Sequence, residues 1–251
     1  DAIAFIKRNK DNPFFLYLAF DAPHEPYNID QTAWYEGQET WEPNTKRYAS
    51  LITHMDAAIG RLLNELEQLN LRKNTLIIFA SDNGAAIQAP IKILNCNAGF
   101  KGRKGTLYEG GIRVPFIVNQ PGMVPIQTLD NLIYFPDMMP TLAALAKGTK
   151  HLPKQINGIN ILPLFYGKQV DTDNRLLYWE FPGKQRAARK GDWKCVTIHP
   201  NQPLELYNLK EDPEETNNLA KKYPRRVKEF DEEMQRMHIP TPNWPQPGEQ
   251  F

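Results

Sequence analysis

Short apolar runs alternate along the chain with amphipathic ones. Ala2, Ile3, Phe5 and Ile6 fall at helical spacing and predict a helix over residues 2–10 that stops before Asn12-Pro13. Phe14 to Phe20 (FFLYLAF) is continuously apolar between Pro13 and Asp21-Ala22-Pro23, the pattern of a strand buried on both faces in a parallel sheet. Tyr27 to Asn44 has mixed polarity and no period, which reads as a long loop over a site. From Tyr48 to Leu71, Leu51, Met55, Ile59, Leu62, Leu63 and Leu66 recur three and four residues apart and mark one apolar stripe of a helix, with Asn70 near its end. Thr75–Ala80 (TLIIFA) and Val114–Val118 read as further strands, and Pro136–Lys147 as a helix ending at Gly148. This alternation predicts an α/β fold: part of a doubly wound, mostly parallel sheet with helices on both faces.

After about Gly167 the pattern changes. Leu176–Phe181, Ala187–Lys190, Trp193–Ile198 and Leu204–Leu209 are short strand-like runs, separated by turn signals at Pro182-Gly183, Gly191-Asp192 and Pro200-Asn201. They predict a small antiparallel sheet. A charged terminal helix follows at Pro224–Met237, then a proline-rich tail from Pro240 to Phe251. The expected division is 1–167, part of an α/β domain, and 168–251, an antiparallel subdomain with its helix and tail. The opening Asp1-Ala2-Ile3, without Met or leader, lies in or at the edge of a helix and predicts a fragment of a longer protein.

Composition narrows the classes. The 251 residues carry 30 basic and 29 acidic side chains, so the surplus of cations that nucleic-acid binding needs is lacking. No run of 18 apolar residues suggests a membrane span. The two cysteines, Cys96 and Cys195, form no C-x-x-C pair, which argues against a cysteine-based zinc site.

Several segments can carry chemistry. Ser81-Asp82-Asn83-Gly84 follows the strand TLIIFA, and sites in open α/β sheets form beyond carboxyl ends of strands. Asp82 and Asn83 are hard-oxygen ligands suited to Ca²⁺ or Mg²⁺; equally, the tetrapeptide is a turn signal. His24, in Pro23-His24-Glu25-Pro26, stands at the end of FFLYLAF as an acid, base or anion donor, or as a surface histidine. Gly99 to Thr106 (GFKGRKGT) is glycine-rich and basic, fit for an oxyanion or simply a solvated loop. Tyr108 to Pro115 (YEGGIRVP) either braces that loop or turns the chain into the next strand. His54 and Asp56 lie among core-facing positions of the long helix and read as structural. Trp34 and Trp41 can stack on a sugar ring or merely pack their loop. His151, His199 and His238 stand in no motif.

The order of these segments is more specific than any one of them. A strand then PH-x-P, an amphipathic helix with Ile59-Gly60-Arg61-Leu62-Leu63, a strand then SDNG, GRKGTLYEGGIRVP, DMMPTLAAL, RAARKGDWK (Arg186–Lys194) and ELYNLKEDPEETNNLA (Glu205–Ala220) together closely resemble the type I sulfatases of the alkaline-phosphatase-like superfamily. The resemblance implies that Asp82 and Asn83 ligate one divalent metal, usually Ca²⁺ with Mg²⁺ possible. It makes Lys104 the lysine on the sulfate group and His24 the histidine near the sulfate and leaving oxygen. Glu109 and Arg113, in E-G-G-x-R, become supports behind that layer. The family's nucleophile is a formylglycine made from Cys or Ser in C/S-x-P-x-R. Neither Cys96 nor Cys195 has that context, so the nucleophile is expected upstream of Asp1, and the chain alone is expected to be inactive and to self-associate. The resemblance also implies a sulfated small molecule or glycan as substrate and a periplasmic or secreted location. The alternatives are a phosphodiesterase- or phosphomutase-like relative, and a non-catalytic glycan-binding homologue.

Overall fold

The computed structural model describes residues 1–182, 185–199 and 201–242. The chain divides into two compact units that interleave in sequence. One comprises Asp1–Ala80, Ala85–Ala98 and Pro115–Met123; the other comprises Ser81–Gly84, Gly99–Val114 and the residues from Val124 onward.

In the first unit, α1 (Ala2–Asn9) packs on α2 (Pro43–Gln68). Pro43 sits in the first turn of α2, where its fixed φ is pre-organised and its missing N–H leaves no bond unmade. Just beyond the helix, Asn70 takes a left-handed φ of 57°, a conformation that asparagine tolerates at helix ends. Ile6 and Leu66 are fully buried, and Lys7 pairs with Glu65 at 3.2 Å. The rest of the apolar stripe is only half-buried, and His54 and Asp56 are each exposed, not among core-facing positions.

The strands of this unit depart from the expected pairing. β1 (Ile77–Ala80) pairs with β2 (Phe116–Asn119) antiparallel, in register from Ile77 opposite Asn119 to Ala80 opposite Phe116. A short helix, α3 (Ile91–Leu94), lies between them in sequence. Arg72 donates from Nη2 to the Asn119 side chain, and Gln120 Nε2 donates to the Lys73 carbonyl at 3.1 Å; these bonds tie the end of β2 to the turn after α2. Phe14–Phe20 forms no strand, and Phe15 and Tyr17 are 69% and 82% exposed. A strand exists by virtue of its ladder bonds, and no described strand lies beside this run. Apolar composition alone therefore does not make it one.

The second unit holds α4 (Glu109–Ile112), α5 (Met138–Leu145), α6 (Leu162–Phe165), a four-stranded sheet and α7 (Pro224–Met237). The sheet is an antiparallel meander of β3 (Leu176–Phe181), β4 (Gln185–Lys190), β5 (Trp193–Thr197) and β6 (Glu205–Asn208). The α/β architecture, the antiparallel sheet and the terminal helix are thus as expected. Gly183, Pro200 and residues 243–251 of the tail lie outside the described residues.

Neighbouring residues of these strands point to opposite faces. Ala187, Val196 and Tyr207 bury one face against Leu107, Tyr108 and Leu209. Ala188, Cys195 and Leu206 bury the other against Phe230 and Met234 of α7. Both faces are covered, which accounts for strands that carry apolar residues at consecutive positions. Among the described residues no helix is long and apolar enough to cross a membrane.

Asp137, with no exposed surface, fixes the segment before α5. Its Oδ1 accepts from Ile159 N–H at 2.9 Å and from Arg175 Nη1 at 2.6 Å; its Oδ2 accepts from Tyr134 N–H at 3.0 Å and from Arg175 Nη2 at 2.6 Å. At the other end of α5 the left-handed residue is Lys147 (φ 55°) rather than Gly148, whose N–H closes the helix onto Ala143 at 2.7 Å. Asp137→Asn keeps the shape, removes the charge and leaves Arg175 in a largely buried position without its counter-ion. Urea unfolding is expected to show a loss of about 3–5 kcal/mol; a loss under about 1 kcal/mol contradicts this role for the fork.

Candidate functional site

Five of the residues that the sequence singles out as metal, sulfate or supporting groups, Asp82, Asn83, Lys104, Glu109 and Arg113, fall in the second unit. The SDNG segment is a tight turn. Ser81 Oγ donates to the Asn83 carbonyl at 3.0 Å, Asn83 N–H donates to Asp82 Oδ1 at 3.0 Å, and Asn83 Nδ2 donates to the Gly84 carbonyl at 3.0 Å. Gly84 N–H then donates to the Gly111 carbonyl at 3.0 Å.

That bond requires glycine on both sides. A Cβ on Gly84 would lie 1.9 Å from the Gly110 carbonyl oxygen, and one on Gly111 would lie 2.1 Å from that of Thr106. Both are backbone collisions that no side-chain movement relieves. Gly110 N–H also donates to the Lys101 carbonyl at 2.7 Å. The glycines therefore bring the Asp82–Asn83 turn and the loop that carries Lys104 into one backbone cluster.

Behind the cluster lies a network of buried charge. Lys194 on β5 has no exposed surface; its Nζ lies 2.8 Å from Glu109 Oε1 and 2.9 Å from Glu215 Oε1. Glu215 in turn accepts the Glu109 N–H at 2.6 Å. Arg189 Nη1 and Arg113 Nη1 stand 3.6 and 3.7 Å from Glu109 Oε2. Burial pushes the Glu109 carboxyl up, but Lys194, Arg189 and Arg113 outweigh it and hold it below the ordinary range. Glu215 is paired with Lys194, and burial pushes it above the ordinary range. The two acids on one lysine thus shift in opposite directions because the arginines stand on the Glu109 side.

A second latch holds the start of the loop. Lys101 Nζ donates to Tyr207 Oη at 2.9 Å, lies 3.3 Å from Glu205 Oε2 and sits 4.0 Å from the centre of the Tyr108 ring. Tyr108 and Tyr207 both donate to Glu205 Oε2, at 2.7 and 2.6 Å. Burial acts against the Glu205 carboxylate, yet these hydroxyls and the ammonium hold its pKa down. Lys104 itself is exposed.

His24 belongs to the first unit. Its ring is exposed, and Nδ1 lies 2.6 Å from the Glu25 carbonyl oxygen. A carbonyl only accepts, so Nδ1 carries the hydrogen, and in the neutral ring Nε2 is then an acceptor. Trp41 stacks on Tyr35 with centroids 5.6 Å apart, which is packing; Trp34 is half exposed. Neither cysteine is primed as a nucleophile: burial pushes the Cys195 thiol up to about 12 and raises that of Cys96.

Two family models cover this chain: the sulfatase model over residues 1–149, and that for the C-terminal part of N-sulphoglucosamine sulphohydrolase over residues 100–239. The chain belongs to the sulfatase family. It is 32% identical to a sulfatase of Formosa agariphila, over 88% of this chain and 45% of that protein. It is 30% identical to the N-acetylgalactosamine-6-O-sulfatase of Bacteroides thetaiotaomicron, over 92% of this chain and 48% of that protein. Its fold matches the crystal structure of Ps i-CgsB in complex with k-i-k-neocarrahexaose with a TM-score of 0.85 and 28% identity, over 98% of this chain and 55% of that one. The chain spans about half the length of these proteins.

For a sulfatase chain the donor chemistry of the Asp82–Asn83 turn suits a hard divalent cation, since it offers carboxylate and amide oxygens. Among the described residues there is no group of three or more His, Cys, Asp or Glu able to hold a metal. Two oxygen ligands are a fraction of the six to eight that Ca²⁺ takes.

Lys194 and Glu215 were not singled out from sequence, although both stand in the matched GDWK and DPEE stretches. The available signal was a lysine at a core-facing position of the strand Trp193–Thr197, beside Cys195 and Val196. Lys194→Met leaves two buried carboxylates without their shared cation and is expected to cost about 3–5 kcal/mol near pH 8. An unpaired buried carboxyl has a raised pKa and is favoured protonated. The deficit relative to wild type therefore shrinks as pH falls toward about 5. Thermal melts across that range test this, and a deficit independent of pH contradicts it.

Proposed function

We propose that the complete protein hydrolyses sulfate esters of a glycan and that this chain supplies the leaving-group histidine, the sulfate lysine and part of the metal site. The observation that carries the reading is the glycine-mediated docking of the Asp82–Asn83 turn on the loop of Lys104. It brings the oxygen-bearing side chains of Asp82 and Asn83 and the loop of Lys104 onto a single backbone cluster, which supports the reading. The names of the relatives support a sulfated sugar as substrate: one is an N-acetylgalactosamine-6-O-sulfatase, and one solved neighbour holds a neocarrahexaose.

The residues divide the work by charge. A sulfate ester carries negative charge on its non-bridging oxygens and gains it on the departing oxygen. Lys104, exposed at its loop, meets the non-bridging oxygens as a point cation. Asp82 and Asn83 would contribute two oxygen ligands to one divalent cation, Ca²⁺ in this reading, which would supply positive charge against the sulfate. His24, once protonated, donates to the leaving oxygen; the carbonyl of Glu25 keeps Nδ1 as the donor to the protein and directs Nε2 to that task. Glu109 holds Arg113 and Lys194 and so keeps the loop in place without touching substrate. No Cys or Ser of the 251 residues stands in C/S-x-P-x-R, so the nucleophile of this reading comes from outside this chain.

Turnover of an aryl sulfate by the complete protein tests the proposal. Lys104→Ala is expected to lower kcat/KM by roughly 10²–10³-fold, Asp82→Ala to abolish turnover at trace Ca²⁺, and chelation to do the same reversibly. Phosphodiester hydrolysis without sulfate release overturns the proposal in favour of a phosphodiesterase-like relative. Sugar binding without turnover points instead to a non-catalytic homologue.

The exposed Phe15, Tyr17, Leu18 and Phe20 further support self-association of the isolated chain, since exposed contiguous apolar surface favours association. Light scattering is expected to give a mass above 28.9 kDa that falls on Phe15→Asp/Tyr17→Asp substitution; a monomer at all concentrations contradicts this.

A further inference from the structure

The first unit contains a cavity of about 430 Å³ that none of the groups above uses. Small-molecule sites commonly span roughly 300–1,000 Å³. Its wall includes Glu25, Tyr27, Asp30, Asn44, Arg47 and Gln88, together with Asn28. We infer that this cavity is a saccharide subsite that binds the uncharged, hydroxylated part of the substrate rather than its sulfate.

The wall is built on the first turns of α2. Asn44, Arg47 and Tyr48 stand at i, i+3 and i+4 and so share one face of the helix. Arg47 Nη1 donates to Asn44 Oδ1 at 3.4 Å, which orients the amide. Buried Tyr48 meets Tyr27 edge to face, with centroids 5.4 Å apart and planes at 71°, so the Tyr27 ring is fixed where it lines the cavity. The loop after His24 supplies the lining from Glu25 to Asp30.

The donor set decides the ligand. Three side-chain amides offer both donors and acceptors, two carboxylates accept, one guanidinium donates, and one aromatic ring provides an apolar wall. A sugar ring matches this mixture, since each hydroxyl both donates and accepts and its C–H face is apolar. Sulfate does not match it: the oxyanion accepts only, and two carboxylates against one guanidinium give the wall a net negative charge that repels it. Glu25 adjoins His24 in sequence, so the same loop carries the subsite and the histidine assigned to the leaving oxygen. The biological ligand rests on the glycan-sulfatase reading above, but binding by the chain does not.

Saturation-transfer NMR on the 251-residue chain, with galactose, N-acetylgalactosamine and sodium sulfate as probes, tests the inference. Both sugars at on the order of 10 mM are expected to receive saturation, as suits millimolar affinity. Asn44→Ala and Asp30→Asn, two exposed positions, are each expected to weaken binding roughly fivefold, with circular dichroism unchanged. Sulfate at equal concentration is expected not to compete. No transfer to either sugar, transfer unaffected by both variants, or full competition by sulfate overturns the subsite. If the complete protein releases sulfate while the sugars show no transfer, the subsite alone fails. If the sugars bind and no sulfate is released, the catalytic reading alone fails.

Discussion

A lysine with no exposed surface cannot stand in a protein interior without compensation, and Lys194 forces much of the second unit into place. Taking an ammonium out of water costs several kcal/mol, and the chain recovers it with two carboxylates at 2.8 and 2.9 Å. Those carboxylates come from segments far apart in sequence. Glu109 opens the EGGIR helix, and Glu215 sits in a left-handed turn at φ 56° that a non-glycine residue adopts only at a cost. Glu215 also accepts the Glu109 N–H, so the triad fixes backbone as well as side chains. Removing Lys194 leaves the buried Glu215 without its paired cation, while Glu109 keeps Arg189 and Arg113.

The glycines transmit that constraint. With Glu109 anchored, Gly110 and Gly111 present their carbonyls and N–H groups where only glycine allows a second and third backbone to approach. Gly84 docks on one side and the Lys101–Thr106 segment on the other. The Asp82–Asn83 turn is thereby positioned through main-chain bonds, and its side-chain oxygens need not hold the loop. The antiparallel sheet thus serves as the support of a loop that precedes it by some 80 residues, a separation read from Glu109 to Lys194.

Legibility in sequence followed the range of the interactions. β3 and α7 match the expected Leu176–Phe181 and Pro224–Met237, because a meander and a proline-started helix are specified by local turns and periodicity. Phe14–Phe20 shows the opposite. Its composition suits a strand, but a strand is a relation between two segments, and one segment cannot reveal its partner. The antiparallel pairing of β1 with β2 was hidden for the same reason, and His54 and Asp56 were misplaced because the stripe of α2 is only half-covered. In the site, SDNG, PHEP and the basic glycine loop were visible as motifs. The Lys194 triad and the Lys101 latch were not, since spacings of 85 and 106 residues carry no local signature.

The basic residues of the loop show why a motif alone is an incomplete guide to a sulfate site. Lys101, Lys104 and Arg113 all stand within or beside GFKGRKGTLYEGGIR and look equivalent in sequence. Lys101 is committed to Glu205, to the Tyr207 hydroxyl and to the Tyr108 ring, and its withdrawal would leave Glu205 with two phenols and no cation. Arg113 lies over the Phe100 ring at 4.7 Å and beside Glu109 at 3.7 Å, where its charge helps hold that carboxyl in its ionised form. Lys104 is exposed, so an oxyanion from solution reaches its ammonium without dismantling the core. Lys101 and Arg113 are thus engaged in holding the loop, a role that residue type and spacing do not reveal.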